Sequence, residues 1–107
     1  MFRSLREQGV YKVAFCGLDD LTEIAYLSLR EAQLELVKVM DEKPGANFIG
    51  YPVVSLEEGV KTLEYPIIIT SLKRAGTLKA ALLGLGVKEE NIFAPSFSFE
   101  EALKRKE

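Results

Sequence analysis

Histidine and tryptophan are absent from this sequence, and cysteine occurs once, at Cys16. Without histidine the chain lacks the commonest general base, the usual partner of a serine or cysteine nucleophile, and the commonest ligand of transition metals. A single cysteine excludes an internal disulfide and a thiolate metal cluster. We therefore expect no catalytic residues and no metal site, since only carboxylates and lysines are left for catalysis.

Positive charge and long apolar runs are scarce as well. The chain has 14 Lys and Arg residues against 16 Asp and Glu residues, a formal net charge of −2. Such a chain has no electrostatic reason to bind nucleic acid or an anionic membrane directly. No apolar run approaches the roughly 20 residues of a membrane-spanning helix, and residues 1–7 have no signal-peptide core. We expect a cytoplasmic protein whose DNA-binding part, if one exists, is a fused or associated domain.

Apolar side chains are plentiful, at 48% of the 107 residues, which is enough for one continuous core. The expected organisation is a single domain over residues 1–107. It comprises a lead-in helix at 1–9, a core at 10–95 and a C-terminal helix at 96–107. No repeat or low-complexity segment interrupts this order.

Short apolar runs alternate along the chain with segments of helical spacing. Runs bounded by turn residues predict strands covered on both faces, at 10–16, 36–40, 49–54, 66–70 and 92–94. Helical periodicity predicts helices at 2–8, 21–33, 55–63, 71–85 and 98–103. This alternation indicates an α/β fold of three layers, a doubly wound parallel sheet of about five strands in the order 3-2-1-4-5.

Capping signals mark the starts of several helices. Capping-box spacing occurs at Asp20 with Glu23, at Ser55 with Glu58 and at Ser98 with Glu101, and Ser71 is expected to cap the helix after the fourth strand. Gly59 is expected to weaken the helix that follows Ser55.

A ligand site is expected beyond the carboxyl ends of the strands, at the point where the strand order reverses. Its predicted lining residues follow the first, second and fourth strands: Gly17, Leu18, Asp19, Asp20, Asp41, Thr70 and Ser71. Asp41 stands where a ribose hydroxyl is often held, but the favoured interpretation is a plain surface turn before Pro44, which needs no ligand.

Three other features each have two interpretations. Lys73 and Arg74 open a helix, where an anion could balance them, but a solvated face is favoured. Cys16 is interpreted as a buried core thiol rather than a redox sensor. Phe93, Phe97 and Phe99 could form an exposed patch or pack under the C-terminal helix.

Four segments carry a family resemblance: Val13 to Gly17, Val37 to Glu42, Phe48 to Val53, and Ile67 to Thr70. Over residues 10–95 the chain resembles the CoA-binding-like Rossmann domains. Within that group it is similar to the N-terminal nucleotide-sugar-binding domain of bacterial sugar acyltransferases. It is also similar to the Rossmann-like C-terminal domain of winged-helix regulators associated with exopolysaccharide genes. The resemblance implies a nucleotide, nucleotide-sugar or CoA ligand.

The loop after the first strand departs from that family. It keeps only Gly17 of the G-x-G-x-x-G pattern, Asp19 and Thr22 stand where the family has small residues, and the histidine of the acyltransferase modules is missing. Asp19 and Asp20 place negative charge where a pyrophosphate would meet free N–H groups and the helix dipole. We expect one of the two carboxylates to cap the helix and exclude phosphate.

Three function classes remain. The leading hypothesis is a non-catalytic regulatory or assembly module without a cofactor, the effector and dimerisation part of a bacterial transcriptional regulator. Its self-association would use apolar residues near the chain ends: Phe2, Leu5, Phe97, Phe99 and Leu103. The alternative is a nucleotide, nucleotide-sugar or CoA binder, and the third is an enzyme fragment using Asp19, Asp20 or Lys73.

Overall fold

Strands and helices alternate in the computed structural model, which describes residues 2–61 and 64–94. The helices are α1 (Phe2–Glu7), α2 (Thr22–Glu31), α3 (Leu56–Val60) and α4 (Ala75–Gly84). The strands are β1 (Lys12–Cys16), β2 (Glu35–Asp41), β3 (Asn47–Phe48), β4 (Tyr51–Ser55), β5 (Ile67–Ile69) and β6 (Ile92–Phe93). The expected C-terminal helix at 98–103 lies outside the described residues.

The six strands form a sheet in the order β3-β4-β2-β1-β5-β6. The five strands other than β3 pair in parallel, which confirms the doubly wound sheet and the expected order 3-2-1-4-5. The sequence did not predict β3, a two-residue strand antiparallel to β4. The expected third strand at 49–54 corresponds to β4, except that Ile49 and Gly50 form the turn of a hairpin between β3 and β4.

Helices cover both faces of the sheet, which gives three layers. One face packs against α1 and α2, and its buried residues include Leu5, Val13, Phe15, Leu29, Val39 and Ile68. The other face packs against α3 and α4, with Ala14, Cys16, Met40, Ile69, Leu78 and Leu82. The two sets alternate along β1, as expected for a strand buried on both sides. Among the described residues, no helix is long and apolar enough to span a membrane.

Two local predictions have different outcomes in α3. The cap is confirmed, because the Glu58 N–H donates to Ser55 Oγ over 3.2 Å. The weakening of α3 by Gly59 stays a prediction, but Gly59 is also a packing residue, since a Cβ there would lie 2.8 Å from Met40 Sδ. The missing side chain lets α3 approach β2 closely.

The hairpin between β3 and β4 holds a β-branched residue in a left-handed conformation. Ile49 has φ +47° and Gly50 has φ +86°, and the Gly50 N–H donates to Asn47 Oδ1 over 2.9 Å. Consecutive positive φ values are typical of a tight hairpin turn, where asparagine or glycine is usual. Ile49 is 59% exposed, so burial does not offset its backbone strain.

Ile49→Asn is expected to raise the free energy of unfolding by about 1 kcal/mol, because asparagine tolerates the left-handed conformation. Urea titration measures the change. Ile49→Val keeps the β-branch and should not raise the free energy of unfolding. An Ile49→Asn variant no more stable than Ile49→Val would mean that the turn is not strained.

Candidate functional site

Gly17 joins the ends of three neighbouring strands. Its φ of +99° turns the chain after β1, and its N–H donates to the Met40 carbonyl over 2.8 Å. Its own carbonyl accepts hydrogen bonds from the hydroxyls of Thr22 and Thr70. The carboxyl ends of β1, β2 and β5 are thereby brought together, at the edge where the sequence predicted the crevice.

Every backbone N–H of the loop at 18–22 is bonded within the protein. The Leu18 N–H donates to Asp41 Oδ2 over 2.8 Å, and the Asp19 N–H donates to Thr22 Oγ1 over 2.8 Å. The Asp20 N–H donates to Asp19 Oδ1. The Leu21 and Thr22 N–H groups donate to the carbonyls of Thr70 and Asp19. In this conformation the loop offers no free backbone donor to a pyrophosphate.

The prediction that a carboxylate caps α2 is wrong. The residue before the helix is Leu21, and no side chain caps it. Asp20 Oδ1 instead accepts the Leu72 N–H over 3.2 Å, and Asp19 Oδ2 accepts the Ser71 hydroxyl over 3.0 Å. Donors of the loop at 71–74 attract both carboxylates across the crevice.

Ser71 does not cap α4 either. That helix begins at Ala75 after Arg74, without a side-chain cap. Ser71 Oγ accepts the Arg74 N–H over 3.1 Å and closes the turn that precedes the helix. Ser71 and Thr70 are both buried, so their hydroxyls organise the crevice from within.

Arg74 binds three carboxylates at the mouth of the crevice. Its Nε donates to Asp19 Oδ2 over 3.2 Å, and its Nη1 donates to Asp41 Oδ1 over 2.7 Å and to Glu42 Oε1 over 3.1 Å. Its Nη2 donates to Asp41 Oδ2 over 3.1 Å. We call these four residues the Arg74 cluster. The interpretation of Arg74 as part of a solvated face is therefore wrong.

Asp41 is the most enclosed carboxylate of the Arg74 cluster, at 6% exposure. Oδ1 accepts hydrogen bonds from the Glu42 N–H and Arg74 Nη1. Oδ2 accepts from the Leu18 N–H and Arg74 Nη2. The interpretation of Asp41 as a surface turn residue is wrong, and in this conformation each of its oxygens already accepts two hydrogen bonds within the protein.

The hydrogen bonds of the cluster shift its pKa values. Burial alone would raise the pKa of Asp41, but hydrogen bonds from Arg74 and from the Leu18 and Glu42 N–H groups outweigh it and hold the pKa below the ordinary value. Hydrogen bonds from Ser71 and Arg74 likewise lower the pKa of Asp19. The pKa of Arg74 is raised, chiefly by its hydrogen bond to Asp41. Each shift favours the charged form.

The free energy of unfolding is expected to fall as the pH drops below about 4. Asp41 and Asp19 have lower pKa values folded than unfolded, so their contribution is complete above the unfolded value of about 3.9 and is lost as the pH falls through the folded values. Urea titrations between pH 7 and pH 3 measure the loss. Asp41→Asn should flatten this acid limb, and an equally steep limb would assign the loss to other carboxylates.

Gly17→Ala is expected to lower the free energy of unfolding by about 2 kcal/mol, the sum of backbone strain and overpacking. An added Cβ would lie 2.8 Å from Leu78 Cδ1 and 3.3 Å from Ser71 Cβ. Gly50→Ala is the matched control, because its φ is also positive but a Cβ there has no neighbour within 4 Å. Equal losses in thermal denaturation would show that close packing at Gly17 adds nothing.

Beneath the crevice, Cys16 is fully buried, as the sequence predicted. Burial, with a contribution from the Asp41 charge, raises the pKa of its thiol to about 12. The thiolate is therefore suppressed at neutral pH. Within residues 2–61 and 64–94, no three His, Cys, Asp or Glu residues are grouped so that they could hold a metal ion.

Comparison with known proteins identifies a shared fold. No family model and no curated protein matches this sequence. A solved structure of RSP, a Rex-family repressor, matches with a TM-score of 0.61 at 14% identity, over 95% of this chain and 61% of that chain. RSP in complex with β-NAD⁺ and operator DNA matches with a TM-score of 0.57 at 12% identity, over 91% of this chain and 55% of that chain.

The likeness to these structures shows that the chain has a Rossmann-like α/β fold. The chain spans a little over half of the repressor chains that it matches. The two narrower resemblances, to sugar acyltransferase modules and to exopolysaccharide-associated regulators, stay predictions.

Proposed function

We propose that this chain is the non-catalytic effector domain of a bacterial transcriptional regulator, serving regulation or assembly, with DNA binding carried by a fused or associated domain. The observation that carries this proposal is the Arg74 cluster. It fills the crevice where proteins with this sheet bind substrates and cofactors. Asp19 and Asp20, which an enzyme fragment would use, are bonded to the loop at 71–74 instead.

The matched repressor structures and the charge of the chain support the same proposal. A domain spanning about half of a repressor leaves room for a DNA-binding part elsewhere. The net charge of −2 supports DNA binding by that other part rather than by this domain. We also propose that the domain is cytoplasmic.

Assembly is the testable part of this role. Pairing of the domain would pair two DNA-binding domains, so that they match the half-sites of a two-fold symmetric operator. We would fuse the chain to a DNA-binding domain that holds its operator only as a dimer. The fusion is expected to bind that operator more tightly than the DNA-binding domain alone. Equal binding, with a monomer in sedimentation equilibrium at high concentration, would contradict assembly.

Fewer residues are available for self-association than the sequence indicated. Leu5 is only 3% exposed and belongs to the core, so it is not available to a partner. Phe97, Phe99 and Leu103 lie outside the described residues, as does the side chain of Phe2. Phe97→Asp with Phe99→Asp is expected to weaken the dimer. An unchanged dimer would exclude that segment.

The alternative function is binding of a nucleotide, a nucleotide-sugar or CoA. One finding favours it: a matched repressor structure contains β-NAD⁺. The candidate residues remain Gly17, Leu18, Asp19, Asp20, Asp41, Thr70 and Ser71. A thermal-shift screen with NAD⁺, CoA, UDP-sugars and adenine nucleotides separates the two functions. Stabilisation at micromolar ligand would favour the alternative, and none at millimolar ligand would favour a domain without a nucleotide.

A further inference from the structure

We propose that the crevice is a phosphate-type anion site occupied by the protein's own Asp41 carboxylate. A phosphate group, such as one end of pyrophosphate, takes this place when the carboxylate is removed or neutralised. Asp41 is then an internal competitor that keeps the site closed. This inference concerns the site alone and does not depend on the role of the domain in a regulator.

Four donors converge on the Asp41 carboxylate. They are the N–H groups of Leu18 and Glu42, at 2.8 and 2.6 Å, and Nη1 and Nη2 of Arg74, at 2.7 and 3.1 Å. Backbone N–H groups combined with the two-pronged guanidinium of an arginine are the donors that proteins use for phosphate. The observed occupant is an anion, so the donors are already arranged around a negative charge.

The site can be reached from solvent. The side chains of Arg74 and Asp19 are 32% and 30% exposed, whereas that of Asp41 is 9% exposed. Arg74 therefore forms the outer wall of the crevice and Asp41 its interior. An oxyanion can approach the guanidinium without the core unfolding.

Surplus negative charge keeps the site closed in the native protein. Three carboxylates, those of Asp19, Asp41 and Glu42, surround the single guanidinium of Arg74. A free oxyanion would meet this charge and would also have to displace Asp41 from all four donors. Removing the Asp41 carboxylate lowers the repulsion and frees the donors in one step.

The test measures binding of inorganic pyrophosphate by calorimetry and by the shift of the melting temperature. Asp41→Ala is expected to bind at least about tenfold more tightly than the native protein, since one competing carboxylate and its repulsion are gone. Asp20→Ala is the matched control: it removes the same charge from the same edge of the sheet, but its carboxylate accepts the Leu72 N–H and no bond from Arg74. It should leave the affinity within about twofold of the native value.

Arg74 supplies a second control. Asp41→Ala combined with Arg74→Ala should lose the gained affinity, because the guanidinium is gone. Three results would each overturn the proposal: native protein that binds as tightly as Asp41→Ala, an equal gain in Asp20→Ala, or a gain that survives the loss of Arg74.

Folding of the variants is checked by circular dichroism. If Asp41→Ala is unfolded in plain buffer, pyrophosphate should restore its folded spectrum, because a ligand that binds only the folded state stabilises it. Failure of that rescue overturns the proposal, as does a folded Asp41→Ala that does not bind. The conservative Asp41→Asn should show a smaller gain than Asp41→Ala, since its amide still fills the site.

Discussion

Replacing Arg74 with alanine is expected to lower the free energy of unfolding by about 3 kcal/mol. Breaking a fully buried ion pair costs about 3–5 kcal/mol, because the remaining charge is left without a partner. Asp41 meets that condition, at 6% exposure. The lower end of the range applies because Arg74 and Asp19 are about one third exposed, and water there screens part of the lost attraction.

Three comparisons isolate the cause of that loss. Arg74→Lys keeps the charge but has three donors on one atom and cannot reproduce the four bonds of Arg74 or its two-pronged pairing with Asp41, so its stability should fall between those of the native protein and Arg74→Ala. Lys79→Ala removes a more exposed pair with Glu89 and should cost less than about 1 kcal/mol. Combining Arg74→Ala with Asp41→Ala should cost less than the two losses added. Additive losses would mean that the two side chains do not act as a pair.

Truncating Ile68 to alanine is expected to lower the free energy of unfolding by about 2–5 kcal/mol, through lost burial and the cavity left behind. Ile68 lies in β5 between two partners, opposite Phe15 of β1 and Phe93 of β6. It is 3% exposed in the cluster beneath α1 and α2. The surroundings are strands held in a ladder, which cannot easily collapse into the space.

Denaturant titration measures this loss, and Ile24→Ala is the matched control. Ile24 lies on α2 and is 37% exposed, so its truncation removes less buried surface and improves helix propensity. A loss below about 1 kcal/mol for Ile68→Ala would mean that β5 does not occupy the middle of the sheet.

The fold could be predicted because its signals are local and repeated. Each parallel strand is a short apolar run, and each run is followed by a turn and a segment of helical spacing. The hairpin of β3 and β4 was missed for the opposite reason. Only two residues of each strand pair in this hairpin, and its turn needs a positive φ at Ile49. Isoleucine is not a residue type that indicates a turn.

The candidate site was predicted in position but not in its contacts. The sequence placed Gly17, Asp41 and Thr70 at one edge, because the ends of neighbouring parallel strands must meet there. It could not pair Arg74 with Asp41, which stands 33 residues away. That contact depends on how the loop at 71–74 turns, and this turn is fixed by Ser71 and Asp19 rather than by a helix cap.

The hairpin at the sheet edge limits how two copies of this domain can aggregate. An exposed strand edge is a template onto which another chain can add a strand. Here the outer edge of β4 is already used, because the Val53 N–H donates to the Ala46 carbonyl and the Gly45 N–H donates to the Val53 carbonyl. Pro52 lacks a backbone donor on the same strand. A continuous intermolecular sheet across β4 would have to break these bonds first, so self-association of the folded domain, if it occurs, would use other surfaces.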